Sequence, residues 1–159
     1  MMKIGLKIVL LFSFIALVAF ACKRKDNVPD EPQIIFKDFL VLGDSAKLII
    51  KFTDGDGDLG LSDSDTEPPY DFNTFITYYE KQNGTFVARD LPFPFNYRIP
   101  VLNNSGRKKE LNGELQITIA PTYYDPFSSY DTIKYSIYIQ DKALNKSNVI
   151  ETNEIVVPR

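Results

Sequence analysis

Histidine and tryptophan are absent from this 159-residue sequence, and Cys22 is its only cysteine. The chain therefore lacks the residues for the usual zinc sites, for a disulfide between two of its own cysteines, and for serine–histidine or cysteine–histidine catalysis. Carboxylate pairs such as Asp125 and Asp131 remain available for acid–base chemistry, but no pattern in the sequence marks two of them as facing each other. We expect a protein that is not an enzyme.

An excess of basic residues is also missing. Lysine and arginine number 18, against 21 aspartates and glutamates, which gives a formal net charge of −3. No basic stripe interleaved with aromatic residues occurs along the chain. Nucleic acid is therefore not expected as a partner.

The longest apolar run lies at the N-terminus. Residues 8–21 are almost wholly apolar and follow a short basic stretch that contains Lys3 and Lys7. A charged start followed by an apolar segment of this kind is typical of a secretory signal peptide, whereas a membrane-spanning helix needs ~20 apolar residues. We expect residues 1–21 to be a removable leader, whose two lysines leave with it and change the net charge from −3 to −5.

Cys22 stands immediately after this leader. Ala19-Phe20-Ala21 fits the small-x-small rule for cleavage, and with Cys22 next it also resembles a bacterial lipobox, in which the cysteine is acylated and becomes the new N-terminus. We expect Cys22 to be the lipidation site, with residues 22–32 as a polar, proline-broken tether to the membrane. Ordinary secretion with an idle cysteine and an uncleaved anchor are the alternatives.

Residues 33–159 have the pattern of one β-rich domain. Apolar and polar residues alternate in several short runs, and Asn83-Gly84 is a strong hairpin signal. The predicted strands, seven or eight in number, fall at residues 33–42, 46–53, 73–82, 85–90, 114–120, 132–140 and 149–157. No amphipathic helix is predicted. The pattern indicates an all-β fold, an immunoglobulin-like antiparallel β-sandwich.

The most unusual stretch follows the second predicted strand. Asp54, Asp56 and Asp58 alternate with glycine in a turn where like charges repel. Carboxylate oxygens suit Ca²⁺, and these aspartates with Asp65 occupy positions one, three, five and twelve of an EF-hand count. Leu59 replaces the glycine of position six and strands flank the loop, so the loop is not an EF-hand. We predict a structural calcium site, and the alternative is a solvated acidic turn.

A second acidic loop extends this prediction. In an immunoglobulin-like sandwich the second and sixth strands run in the same direction, so residues 46–53 and 132–140 finish at the same end of the domain. Asp141, with Asn145 behind it, would then lie near Asp54. A calcium site of six to eight oxygens takes ligands from more than one position. Asp141 is therefore the fifth predicted metal ligand.

An aromatic segment separates the predicted strands 114–120 and 132–140. It contains four rings that could face a sugar: Tyr123, Tyr124, Phe127 and Tyr130. A carbohydrate-binding surface lipoprotein is therefore the alternative function. Packing of these rings in the core beneath a long loop is the competing explanation, and the lack of tryptophan weakens the carbohydrate hypothesis.

Four segments of the chain form a familiar combination: Cys-Lys-Arg-Lys-Asp at 22–26, Phe-Thr-Asp-Gly-Asp-Gly-Asp-Leu-Gly at 52–60, Asn-Gly-Glu-Leu at 112–115 and Ile-Gln-Asp-Lys-Ala-Leu-Asn-Lys-Ser-Asn at 139–148. With these segments the chain resembles uncharacterised lipoproteins of Bacteroidota that carry an immunoglobulin-like domain. The resemblance implies a cell-envelope protein, lipid-anchored in the outer membrane, with no activity attached. We therefore expect a non-catalytic interaction or structural module with calcium-stabilised loops. Its protein or glycan partner and the face of the membrane it occupies stay open.

Overall fold

The computed structural model describes residues 28–92, 94–102 and 109–158. These contain eight strands: β1 (Gln33–Leu42), β2 (Ser45–Asp54), β3 (Thr74–Gln82), β4 (Thr85–Arg89), β5 (Leu111–Ile119), β6 (Thr132–Ile139), β7 (Ile150–Glu151) and β8 (Ile155–Val156). The predicted leader, the predicted lipidation site Cys22 and residues 23–27 of the predicted tether lie outside the described residues. Within the described ranges, no helix is long and apolar enough to cross a membrane.

The strands form two antiparallel sheets. The first sheet has the order β1-β2-β5, and the second has the order β4-β3-β6, with β7 and β8 both pairing with β6. One cluster of buried side chains receives residues from both sheets. The predicted all-β antiparallel sandwich is confirmed, and its immunoglobulin-like character stays a prediction.

Alternation of apolar and polar residues explains the two central strands. Every second residue of β2 and β6 points into the core, and these core positions are Ala46, Leu48, Ile50 and Phe52 in β2 and Ile133, Tyr135, Ile137 and Ile139 in β6. Ile49 and Asp54 of β2 are buried outside this apolar cluster. Burial of each large apolar side chain contributes roughly 1.5–3 kcal/mol to folding. The sheets therefore pack with β2 and β6 at the centre of the core.

Tyr135 ties β6 to the segment that precedes it. Its hydroxyl donates a hydrogen bond to the carbonyl oxygen of Tyr123, and both side chains are fully buried. The ring of Phe39 lies 5.5 Å from the ring of Tyr135 and 5.9 Å from that of Tyr123, measured between centroids. Immunoglobulin-type sandwiches bond a tyrosine near the start of the sixth strand back to the backbone in a similar way. The bond closes the core beneath residues 121–131.

The turn between β3 and β4 is the predicted hairpin. Asn83 and Gly84 both adopt positive φ, 51° and 83°, as a type I′ turn requires, because its backbone twist matches that of the two strands. Glycine and asparagine tolerate this conformation better than other residues. The predicted Asn-Gly hairpin is therefore confirmed.

The sandwich has two distinct ends. β2 and β6 both finish at one of them, since the loop after β6 is joined to the loop after β2 by the ion pair of Lys142 with Asp65. Asn148 links the two sheets there, since its side chain bonds to both the N–H and the carbonyl of Ile34. We call this the acidic end. The opposite end, the hairpin end, carries the turns at Gly43 and Gly84.

Candidate metal site

Three carboxylates meet at the acidic end. Asp54 is the last residue of β2, Asp56 and Asp58 lie in the loop that follows, and one oxygen of each lies within 4.8 Å of the others. Asp54 is fully buried. Its Oδ2 accepts a hydrogen bond of 2.8 Å from the N–H of Leu59, whereas its Oδ1 is buried without a hydrogen-bond partner among the residues that the structure describes. Such an oxygen is costly to bury unless a ligand satisfies it.

Glycines let other backbone segments press against this loop. A Cβ on Gly57 would lie 1.9 Å from the carbonyl oxygen of Lys109, and a Cβ on Gly60 would lie 2.5 Å from that of Pro100. Both glycines also have positive φ, 74° and 125°, which other residues adopt only with strain. The loop is therefore shaped by backbone packing at its glycines.

The second acidic loop reaches the same place. Asp141 follows β6 and is buried, and its two carboxylate oxygens accept hydrogen bonds from the N–H and the side-chain amide of Asn145, at 2.8 and 2.9 Å. Leu144 takes a positive φ of 69° to close this turn. Asp141 lies near enough for its charge to act on Asp54, and Asp56 acts on Asp141 in the same way.

Burial and like charge oppose ionisation of Asp54 and of Asp141. Burial raises the pKa of Asp54 to about 6, the Leu59 N–H opposes that rise, and the neighbouring carboxylates add to it. Burial also raises the pKa of Asp141, against the hydrogen bonds from Asn145 and with a further rise from Asp56. Both effects favour the protonated acids. A bound cation would reverse the balance, because it stabilises the ionised forms.

Asp65 has a different role from the one predicted. Its Oδ2 accepts hydrogen bonds from the N–H and hydroxyl of Ser62, at 2.8 and 2.7 Å, and from the ammonium of Lys142 at 3.1 Å. These contacts lower the pKa of Asp65 to about 2, with the Ser62 hydrogen bonds as the largest cause. Asp65 is not one of the three clustered carboxylates. It closes its own turn and, through Lys142, ties the first acidic loop to the second.

The four predicted ligand-facing aromatics do not share one environment. Tyr123 is fully buried, with its ring 5.0 Å from that of Tyr124, so it cannot face a ligand. Tyr124 and Tyr130 are half-buried, and Phe127 is 95% exposed. The prediction was wrong for Tyr123 because its ring fills the core beneath the loop. The core-packing explanation accounts for it.

Two features of the site lie outside what residue types alone predicted. One is the Leu59 N–H, which holds Asp54 from five residues away, and the other is the close approach of Lys109 to Gly57. A backbone donor carries no residue-specific signal. The glycines at 55, 57 and 60 were a usable signal, because glycine at short spacing often marks positive φ or close backbone contact.

The chemistry of the site is that of hard oxygen ligands. Three clustered carboxylates, with a fourth acidic residue on the adjoining loop, suit a divalent cation such as Ca²⁺. No protein-family model, curated protein or solved structure matches this chain. The function therefore has to be inferred from the residues themselves.

Proposed function

We propose that this protein is a non-catalytic, lipid-anchored envelope module whose acidic end is stabilised by a calcium ion. One observation carries the calcium part: Asp54 is fully buried in a cluster of three carboxylates, and within the described part of the chain its Oδ1 has no hydrogen-bond partner. Hydrogen bonds satisfy nearly all buried polar atoms in folded proteins. A cation is the ligand that satisfies this oxygen and offsets the repulsion between the aspartates together.

Calcium fits this donor set better than other common cations. It accepts six to eight oxygen ligands in flexible geometry, whereas magnesium requires a near-ideal octahedron and keeps several waters. Asp54, Asp56 and Asp58 would hold the ion, with Asp141 supplying negative charge from the second loop. Because calcium outside the cytoplasm is millimolar, even a weak site there stays filled. The ion then acts as a structural tie.

The membrane part of the proposal rests on the leader and Cys22. Acyl chains on this cysteine would hold the domain at the membrane surface by burying CH₂ groups. The polar residues that follow, with prolines at 29 and 32, would act as a spacer. The domain would then stand off the envelope membrane and meet a protein or glycan partner.

Thermal melting with and without calcium tests the site. At a free calcium concentration one hundred times Kd, binding stabilises the fold by about 2.7 kcal/mol, which corresponds to a rise in Tm of about 10 °C for a domain of this size. Asp56→Asn should abolish this rise, because it removes a clustered carboxylate. The matched control is Asp63→Asn, an equal change of charge at an exposed position of the same loop, and it should keep the rise. Superimposable melting curves in EDTA and in calcium would contradict the site.

Cell fractionation tests the anchor. A Cys22→Ser variant should lose lipid labelling and leave the membrane fraction, since it removes the only thiol of the chain. Its Tm should still rise with calcium, because the substitution lies far along the sequence from the acidic loop. Unchanged membrane association of Cys22→Ser would reject lipidation at this residue.

A further inference from the structure

The described part of the tether passes directly over the first acidic loop. The N–H of Gly55 donates a hydrogen bond of 2.9 Å to the carbonyl oxygen of Pro29. A Cβ on Gly55 would lie 2.3 Å from the carbonyl oxygen of Val28 and 2.4 Å from that of Pro29. Real Cβ atoms do not approach other atoms so closely. This contact therefore exists only because residue 55 is glycine.

The second acidic loop also holds this segment. Ile34 donates its N–H to Asn148 Oδ1 at 2.8 Å, and its carbonyl accepts from Asn148 Nδ2 at 2.9 Å. Asn148 closes the connection that begins at Asp141, after β6. Pro32, between the two contacts, is buried. Residues 28–34, which we call the N-terminal strap, are thus fastened by both carboxylate-bearing loops.

We propose that a divalent cation at the acidic end latches the N-terminal strap onto the sandwich and so fixes where the chain leaves the domain. The inference rests on the proposed calcium site. Without the ion, repulsion among Asp54, Asp56 and Asp58 favours an opened loop, which draws the Gly55 N–H away from Pro29. With the ion, the loop is held in the conformation that accepts the strap.

This coupling has to act in both directions. If calcium favours the docked strap by some factor, the docked strap strengthens calcium binding by the same factor, which is five- to 150-fold for typical couplings. The strap also continues directly toward the predicted anchor at Cys22. A docked strap would hold the sandwich in a narrower range of orientations at the membrane than a released one.

Hydrogen exchange on the full chain tests the latch. The probe is Ca²⁺ alone, compared with EDTA, and the readout is exchange of the two amides whose hydrogen bonds fasten the strap, that of Gly55, which donates to Pro29, and that of Ile34, which donates to Asn148. We expect calcium to slow their exchange at least about fivefold. The hairpin turn at Asn83-Gly84, at the opposite end, serves as the internal reference and should not respond. Calcium affinity is measured separately by calorimetry.

Gly55→Ala breaks the latch while keeping every aspartate. Gly55 does not have a φ in the left-handed range, so its own conformation would accept alanine. What opposes alanine there is the clash with Val28 and Pro29 of the strap. The variant should lose the calcium-dependent protection of the strap and bind calcium more weakly by the same factor. The matched control is Gly113→Ala, whose Cβ would meet only the Phe52 ring at 3.3 Å, and it should behave as wild type. Asn148→Ala, which removes both bonds to Ile34, provides a second release variant if Gly55→Ala does not fold.

The two proposals fail in different ways. If calorimetry shows calcium binding and exchange in the strap does not change, the latch is overturned and the calcium site stands. If calorimetry shows no calcium binding, the calcium site is overturned and the latch with it. Equal calcium dependence of strap exchange in wild type, Gly55→Ala and Asn148→Ala would also overturn the latch.

Discussion

Asp54 carries the largest electrostatic conflict among the described residues of the acidic end. β2 delivers its side chain into the interior, where the N–H of Leu59 bonds to Oδ2, and no described residue bonds to Oδ1. Burial and the surrounding carboxylates raise its pKa from 3.8 to about 6. The folded protein without calcium therefore holds this proton to a higher pH than the unfolded chain does. Its stability must fall as the pH rises through that interval.

Asp54→Asn should consequently stabilise the calcium-free protein at neutral pH. The ionised carboxylate costs the fold on the order of 3 kcal/mol once the pH exceeds about 6, and nothing below about 4. Asparagine keeps an oxygen for the Leu59 N–H and removes the charge. In EDTA, the free energy of unfolding of the variant minus that of wild type, measured with urea, should grow between pH 4 and 6.

Excess calcium should reverse the order of stability of wild type and Asp54→Asn. Wild type gains the binding energy of the ion, whereas Asp54→Asn lacks one of the three clustered carboxylates, so in excess calcium wild type becomes the more stable of the two. A difference between the proteins that does not change with pH in EDTA would show that the charge on Asp54 is not the cause.

The loop that follows β2 is an element shaped by what presses on it. Gly55, Gly57 and Gly60 each lie against the backbone of another segment, and at each a Cβ would come within 2.5 Å of a carbonyl oxygen. Backbone contacts of this kind leave little freedom for adjustment, because interiors are close-packed. The loop is consequently as specific a structure as either strand beside it.

Gly57→Ala should be much more destabilising than the same change at Gly84. Both residues have positive φ, 74° and 83°, but the Cβ at Gly84 would meet open space and the Cβ at Gly57 would lie 1.9 Å from the Lys109 carbonyl oxygen. We expect about 1 kcal/mol for Gly84→Ala from conformation alone and about 3 kcal/mol for Gly57→Ala, where a steric clash is added. Urea denaturation in EDTA measures both, and equal losses would contradict the steric argument.

Elements with clear alternation were predictable from the sequence, and elements that depend on partners were not. The start of β5 was missed because Asn112 and Gly113 have low strand propensity, yet both pair with β2. The predicted strand 149–157 is two short strands, β7 and β8. Between them, the N–H of Thr152 donates to the carbonyl of Tyr135 and its hydroxyl accepts from the N–H of Tyr135. Tertiary contacts of this kind leave no local pattern.

The candidate site, too, was predictable from the sequence only in part. Asp54, Asp56 and Asp58 are close in sequence, so their clustering follows from the turn itself. Asp65 was assigned by counting positions, and counting does not reveal that Ser62 and Lys142 engage its carboxylate. The residue types at these positions are informative about chemistry. Which groups bond to each carboxylate is decided by the three-dimensional arrangement.

At the scale of the whole molecule, two buried tyrosines lie side by side in the second sheet, and one of them, Tyr135, stacks on Phe39 of the first sheet. Tyr78 of β3 and Tyr135 of β6 lie 5.7 Å apart between ring centroids, and both are buried. Burial raises the pKa of Tyr78 to about 12 and that of Tyr135 still further. Because the unfolded chain ionises at about 10, stability that is complete below that pH is lost progressively as the pH rises beyond it.

Tyr135→Phe should separate two contributions of this hydroxyl to stability, its hydrogen bond to Tyr123 and its ionisation at alkaline pH. At neutral pH the variant should lose about 1–3 kcal/mol, because the buried carbonyl of Tyr123 loses its donor. Above pH 10 its stability should fall less steeply than that of wild type. The control is Tyr79→Phe, whose half-buried hydroxyl lies 3.5 Å from Ser136 Oγ and should change stability by less than about 0.5 kcal/mol. Urea denaturation across the alkaline range measures both, and parallel pH profiles for all three proteins would rule out this role for Tyr135.

The crowding around Gly57 and Gly60 has an evolutionary consequence. A lineage that ceased to need the ion could exchange its aspartates freely, since neutral side chains would relieve the repulsion. It could not exchange these glycines, because the backbones of Lys109 and Pro100 occupy the space that any side chain would enter. Distant descendants should therefore retain these two glycines after the aspartates have been replaced, as a trace of the proposed ancestral calcium site.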